Sequence, residues 1–341
     1  MNDNKPLTVE DVAEEAGVST ATVSRVFNRS AKVSEKTVQK VLKAAEKLDY
    51  RPNRVARRLR VKSSQSMIIG LIVTDLENPF FSEIARGVED IAYKSKNAVM
   101  VCNSDEKGDK ERFYIDTLLA ERASGLIAAL TPHNASYIQE LVDRGYPVVC
   151  VDRHQSIQNV DTVTVNNISG AYQAVTRLID LGHKRIGIIN GLPDISTTEE
   201  RFEGYKKALS DHNITFDPKL VMYGNSRQDG GIEKTRELLK LKDRPTAVFI
   251  TNNLMTLGFL EEMYKQGLNI PEDMALIGFD DMPWSVALNP PLTAVKQPGY
   301  ELGTRAAELL FKRLEQSSRA TSSIVLNPKL IVRKSCGENI S

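Results

Sequence analysis

Thr8-Val9-Glu10-Asp11-Val12-Ala13-Glu14-Glu15-Ala16-Gly17-Val18-Ser19-Thr20-Ala21-Thr22-Val23-Ser24-Arg25-Val26-Phe27-Asn28 reads as two short helices around a glycine. Thr8 is placed to cap the first, with Asp11 at the third helical position, and Val9, Val12, Ala13 and Ala16 share one face. That helix ends at Gly17. Ser19 is placed to cap the second, whose Val23, Val26 and Phe27 face inward while Thr20, Ala21, Thr22, Ser24 and Arg25 lie on or near the exposed face. Ser34 opens a third helix, and the apolar stripe expected there is Val38, Val41, Leu42, Ala45 and Leu48. Three such stripes close a small core and leave the second helix free to enter a major groove, a helix-turn-helix arrangement.

Charge supports a polyanion-facing surface. Residues 1–66 carry 14 Lys and Arg against 8 acids, or +6, and the rest of the chain carries 31 against 36, or −5. Four of those eight acids fall between Glu10 and Glu15, so the positive charge is concentrated from Arg25 onward. The full length of 341 residues implies two or three domains, and 41% hydrophobic with 26% charged residues is the balance of a chain that buries a core. The longest apolar stretch, Met67–Val73, is far shorter than the roughly 20 residues that span a bilayer, and the start of the chain has no apolar signal region, so a cytoplasmic location with no membrane partner is expected. Cys102, Cys150 and Cys336 are widely spaced, and buried free thiols are expected.

In these motifs the chain resembles the LacI/GalR family of bacterial transcription regulators, through Thr8–Ala13, Ala16-Gly17-Val18-Ser19, Thr22-Val23-Ser24-Arg25-Val26 and Tyr50-Arg51-Pro52-Asn53. The resemblance implies that Thr20, Ala21 and Arg25 read base edges, which suits an arginine that can donate two bonds to guanine and a threonine methyl that can touch thymine. It also implies that Ser19, Thr22, Ser24, Asn28 and Lys32 hold phosphates, with Thr8 and Asn53 in the same DNA-facing set. Pro52–Arg60 is too short to be a stable helix alone. The resemblance makes it a hinge helix that pairs with its dimer mate in the minor groove. Ala56 and Arg57 would lie against the groove and Leu59 would act as a wedge between base pairs.

From Met67 onward, β-rich apolar runs at 68–73, 98–102, 125–130, 148–151, 185–190, 247–250 and 274–277 alternate with helical patterns. That is the signature of parallel-sheet α/β structure, and its length calls for two subdomains with a ligand cleft at the carboxyl ends of their strands. The overall expectation is an N-terminal helix-turn-helix head plus a two-subdomain, periplasmic-binding-protein-like (type I) parallel-sheet core. The expected boundaries are 1–50 for the head, 51–66 for hinge and linker, and 67–341 for effector binding and dimerisation. Within the last, the first subdomain takes about 67–164 and 296–320, and the second about 165–292 and 321–335.

The core is similar to periplasmic sugar-binding proteins through Asn78-Pro79-Phe80-Phe81, Val151-Asp152-Arg153, Arg201-Phe202-Glu203-Gly204-Tyr205, Asn252-Asn253, Ile277-Gly278-Phe279-Asp280-Asp281 and Gln297-Pro298. The resemblance implies an effector set of Asn78, Phe80, Phe81, Asp152, Arg153, Arg201, Asn252, Asp280 and Gln297. These side chains accept from, donate to and pack against a polyol. The chain departs from the family where an aromatic is common, at Ser226, and Trp284 is the expected replacement wall. Asn166-Asn167 and Asn252-Asn253 stand where the family has Asn-Asp pairs. With Arg153, Arg201 and Arg227 nearby, a sugar acid or sugar phosphate joins neutral sugars as an expected effector.

No GxGxxG or GxxxxGK[ST] loop, no HxxxH among His133, His154, His183 and His212, and no GxSxG elbow occurs. An enzyme, a cofactor and a metal are therefore not expected. The expected activity is a homodimeric, sequence-specific repressor of carbohydrate-utilisation genes, released from near-palindromic operator DNA by its effector. Corepression, gating by a partner protein, and a sugar-modifying enzyme carrying a DNA-binding head remain as alternatives. Leu59→Ala is expected to weaken operator binding in a gel-shift titration while leaving effector affinity unchanged; unaltered operator binding would remove the wedge.

Overall fold

The computed structural model describes residues 8–28, 33–48, 50, 67–153 and 156–337. The chain divides into two compact units that meet in sequence between Ser66 and Met67. In the first unit the helices are α1 (Val9–Ala16), α2 (Thr20–Asn28) and α3 (Glu35–Lys47). Asp11 accepts from both the backbone nitrogen and the hydroxyl of Thr8, at 2.6 and 2.8 Å, and Gly17 ends α1 in the left-handed region at φ 61°. The Ser19 hydroxyl accepts from Thr22 N at 3.2 Å, and Ser34 accepts from Thr37 N, so both later helices start on a serine cap. Val12, Ala13, Ala16, Val23, Val41, Ala44 and Ala45 form the core, with Val26, Phe27, Leu48 and Tyr50 against it. Leu42, expected on the α3 stripe, is exposed and Ala44 takes its place. Val41, Ala44, Ala45 and Leu48 are the i, i+3, i+4 and i+7 positions, and Leu42 lies one step outside them.

The second unit begins β1 (Ile68–Val73), α4 (Pro79–Lys94), β2 (Ala98–Asn103), α5 (Gly108–Ala120), β3 (Gly125–Ala128), α6 (Ala135–Asp143), β4 (Val148–Asp152) and β5 (Asp161–Val165). It continues α7 (Asn167–Asp180), β6 (Ile186–Asn190), α8 (Ser196–Asp211), β7 (Val221–Tyr223), α9 (Gln228–Leu239), β8 (Ala247–Ile250), α10 (Asn253–Lys265) and β9 (Ala275–Phe279). Last come β10 (Thr293–Lys296), α11 (Gly299–Glu315), β11 (Ser323–Leu326) and β12 (Lys329–Ile331).

Two six-stranded sheets result, ordered β11-β5-β4-β3-β1-β2 and β12-β10-β9-β8-β6-β7. The first is parallel throughout, and the second is parallel except for its edge strand β12, antiparallel to β10. Strand order reverses at the same place in each, beside β1 and beside β6, and the carboxyl ends of strands at such a reversal are where doubly wound sheets hold ligands. Each sheet is covered on both faces. Ile69, Leu71 and Val73 pack under α4 and α11, while Ile72 faces the opposite cluster with Ile115 and Leu118. Ile186 and Ile188 likewise face one cluster and Ile189 the other. Cys102, Cys150 and Cys336 are free and buried, and burial pushes the Cys150 thiol up to about 12.

The boundary between the two lobes differs from the expectation after residue 292. β10 belongs to the second sheet, and β11, expected in the second subdomain, pairs in parallel with β5 from Ser323↔Thr162 to Leu326↔Val165. This pairing covers what would otherwise be the bare edge of the first sheet. The last crossing therefore falls between Leu326 and Lys329. Five short strands (β5, β7, β10, β11 and β12) are absent from the sequence expectation, and two of them, β7 and β12, span three residues each.

Helices α4 and α11 approach so closely that a Cβ on Gly303 would stand 2.1 Å from the Ile84 carbonyl oxygen, and one on Gly87 2.3 Å from that of Tyr300. Gly303→Ala is expected to destabilise the second unit by about 1–3 kcal/mol through backbone overpacking, read as a lower denaturant midpoint. An unchanged midpoint would show that the helix pair can shift without cost.

Candidate functional site

On α2, Thr20, Ala21 and Arg25 are exposed, and Thr22 and Ser24 are half-buried. The face expected to read bases is thus open to solvent, carried on a helix whose other side is pinned by Val23. Ser19 is exposed, with its hydroxyl 2.9 Å from that of Thr22. Asn28 closes α2, its side chain lying outside what is described, as do Lys32, Asn53, Ala56, Arg57 and Leu59.

In the second unit, loops from the carboxyl ends of strands in both sheets converge on one cavity of about 660 Å³, counting the part open to solvent. From the first lobe come Asn78, Phe80, Phe81, Asp152 and Arg153. From the second come Arg201, Asn252 and Asp280, with Gln297 from the segment that crosses between lobes. Nine of the ten residues in the expected effector set therefore share one space. Trp284 does not. The Met282 nitrogen donates to Ser285 Oγ, and the turn so formed carries the indole onto the cluster containing Met255, Phe259 and Met263. The missing aromatic wall at Ser226 is therefore not replaced from that side. Phe80 and Phe81, edge to face with ring centroids 5.2 Å apart, are the aromatic surface of the cavity.

Several polar residues spend their groups on holding the site. Asn78 caps α4 by accepting from Phe80 N at 3.0 Å, which fixes both phenylalanines in the first turn. The same oxygen accepts from Asn253 Nδ2 at 2.7 Å, a bond that crosses from the second lobe to the first. Asn252 caps α10 by accepting from Met255 N, and its amide donates to the Ser226 carbonyl at 2.7 Å. Gln297 donates to Asp280 Oδ1 at 2.6 Å, while its own buried Oε1 has no hydrogen-bond partner, an acceptor ready for a donor group.

Charge is the dominant feature. Arg153 donates to both oxygens of Glu106, at 2.7 and 2.5 Å, and stands 3.4 Å from Asp152. Arg201 donates to Asn167 Oδ1 and the Thr251 carbonyl, and its guanidinium lies 3.8 Å over the Phe279 ring. Arg227 reaches Asp105 across the cleft at 3.5 Å. Burial pushes the Asp152 carboxyl up to about 6 although Arg153 and Arg201 pull it down. Burial also raises Asp280 and lowers Arg201, each partly offset by the other's charge. Burial acts to raise Glu106, but the hydrogen bonds and charge of Arg153 outweigh it and hold that carboxyl below its ordinary value.

Arg227, expected near the cleft, lines the cavity, as do Glu106, Asn225, Thr197, Thr198 and Thr251, which were not legible as site residues. A partial signal exists for Glu106, which lies four residues beyond the run 98–102, whereas Asp152-Arg153 directly follows 148–151. Glu106, Asp152, Ser226 and Asp280 all hold left-handed backbones, at φ 59, 72, 63 and 77°. Strain of this kind, about 1–3 kcal/mol per residue, gathers at functional sites. Among the described residues no cluster of three or more His, Cys, Asp or Glu is placed to hold a metal, and no helix is long and apolar enough to cross a membrane.

A family model described as "Bacterial regulatory proteins, lacI family" matches residues 8–53, and one described as "Periplasmic binding protein-like domain" matches residues 175–336. The chain is 36% identical over 329 residues to the HTH-type transcriptional repressor PurR of Histophilus somni (strain 129Pt), covering 96% of this chain and 98% of that one. It is similar to the lac repressor dimer bound to operator and the anti-inducer ONPF, with a TM-score of 0.82 and 30% identity over 97% of this chain and 99% of that one. A complex of the transcriptional regulator CelR with cellobiose gives 0.73 and 31%, over 96% and 99%.

The raised Asp152 makes a prediction that needs no ligand. Its folded-state value of about 6 lies above the ordinary 3.8, so its contribution favours the fold at low pH and is lost as pH rises from 3.8 to about 6. Asp152→Asn removes that loss. The melting temperature of the variant relative to the parent is expected to be higher at pH 7.5 than at pH 5, and a difference independent of pH would contradict the assignment.

Proposed function

Because this chain belongs to the LacI family of bacterial regulatory proteins and is a DNA-binding transcriptional regulator, we propose that it represses carbohydrate-utilisation genes and is released from its operator by a small carbohydrate. The observation that carries this reading is the cavity between the two sheets. Buried carboxylates, guanidiniums and amides meet there beside an aromatic pair, at the strand ends where doubly wound folds hold ligands. A sugar presents hydroxyls that both donate and accept, and apolar C–H faces that pack on rings, which is the complement of that lining. The cellobiose held by CelR, a protein similar along almost the whole chain, supports the same ligand class.

At the other end of the chain, Thr20, Ala21 and Arg25 enter the major groove and read bases, with Ser19, Thr22 and Ser24 on phosphates. One head neutralises few phosphates, so useful affinity comes from two copies on a near-palindromic site; the similar lac repressor binds its operator as a dimer. Effector and operator are then linked. A ligand that prefers one arrangement of the lobes shifts operator affinity by its differential binding, typically about 1–3 kcal/mol.

The test is a thermal-shift screen of the full-length protein with neutral sugars, sugar acids and phosphosugars, followed by anisotropy titration of a duplex selected from a random pool. A binding sugar at 100 times its Kd adds about 2.7 kcal/mol, and it is expected to weaken the selected duplex. Arg25→Ala is expected to cost about 1–3 kcal/mol and relax one base preference. A sugar that strengthens duplex binding would reverse the sign to corepression, and a flat screen would refute the carbohydrate effector.

A further inference from the structure

We infer that Glu106 sets the charge class of the effector: by occupying the Arg153 guanidinium it makes the cavity a site for a neutral polyhydroxy compound and excludes carboxylates and phosphates. The inference rests on the carbohydrate reading above and narrows it.

Three cations line the cavity, which from sequence admits an anion, but the structure commits most of their charge to protein groups. Arg153 presents one edge of its fork to Glu106 in a two-bond pair, with side chains 7% and 19% exposed. Its Nε stands 3.4 Å from Asp152, an ion pair without a hydrogen bond. Two nitrogens of Arg201 are held by protein oxygens. Arg227, on the rim, faces Asp105. Against these three stand the cavity-lining carboxyls of Asp75, Glu106, Asp152 and Asp280. A carboxylate or phosphate entering this space has to displace Glu106 from Arg153 or sit among buried like charges, and both carry a large desolvation or repulsion cost. A hydroxyl has no such conflict. It donates to Asp152, Asp280 or the unpartnered Gln297 Oε1 and accepts from the remaining guanidinium hydrogens.

Glu106 is also delivered on purpose-built backbone. It follows Asp105 in a turn where both residues take left-handed conformations, at φ 53 and 59°, and Asp105 is itself anchored by Lys110 at 2.6 Å and Asn103 at 2.8 Å. Those bonds help to hold two non-glycine residues in a conformation that such residues rarely adopt in succession. The turn places the carboxylate over Arg153 rather than in solvent.

The experiment is calorimetry on the full-length protein with matched probes: ribose, ribonate and ribose 5-phosphate, and glucose, gluconate and glucose 6-phosphate. The parent is expected to bind at least one neutral member and to bind its anionic partners at least tenfold more weakly. Glu106→Gln removes the negative charge paired with Arg153 and is expected to shift the anion-to-neutral affinity ratio at least tenfold toward the anion. The double variant Glu106→Gln/Arg153→Gln carries no lone buried cation, so it is expected to fold, and it should show no such gain. A parent that prefers an anion, an unchanged ratio in Glu106→Gln, or the same gain in the double variant would overturn the charge filter while leaving the carbohydrate effector standing. A parent that binds no probe in this panel or the wider sugar screen would overturn both.

Discussion

The arrangement depends on making a buried cluster of charge tolerable. Asp152, Arg153, Arg201 and Asp280 are almost wholly removed from solvent, and each would be untenable alone. They coexist because every member finds an opposite charge or fixed dipole: Glu106 for Arg153, Arg153 for Asp152, Thr251 and Asn167 for Arg201, Gln297 for Asp280. These pairings lie within one lobe or on the segment between the lobes, but the Arg201 charge of the second lobe also acts on the buried Asp152 of the first, so the placement of the lobes enters the balance of the cluster. A ligand that bonds to groups of both lobes in this cluster adds to what holds the lobes together.

The repeated sheet supplies the geometry. Each lobe reverses strand order beside its first strand, so each opens a crevice at its carboxyl ends, and the two crevices face one cavity. Across it run a buried bond from Asn253 to Asn78 and an ion pair from Arg227 to Asp105 at the rim. These contacts cross between lobes without passing through the hydrophobic cores. They are therefore the ones a cavity ligand can strengthen or replace at small structural cost, which is what a two-state element requires.

Much of this was legible in the chain, for identifiable reasons. Caps and 3.6-residue stripes gave the head, because Thr8, Gly17, Ser19 and Ser34 act locally. The error at Leu42 came from ambiguity between adjacent positions at the edge of a stripe. Long apolar runs such as 68–73 announce central strands, whereas β11 reads Ser-Ile-Val-Leu after a polar stretch and becomes a strand only through the edge of β5. Asp152, Arg201, Asp280 and Gln297 could be placed because each stands in a motif shared with the periplasmic sugar-binding proteins that the core resembles. Trp284 could not, because its direction is set by a turn and by the packing it meets. Glu106 was missed for the same kind of reason. Its role is defined by Arg153, 47 residues away, and no local spacing encodes that pair.

The central claim is that cavity and DNA are thermodynamically linked through the arrangement of the lobes. Its most direct test is calorimetric titration of one binding sugar into the free protein and into its operator complex at a single fixed salt concentration. The account predicts that the sugar binds the complex more weakly, by the same factor by which it weakens operator binding, in the range of about 5- to 150-fold. Equal sugar affinities for the free protein and the operator complex would contradict it.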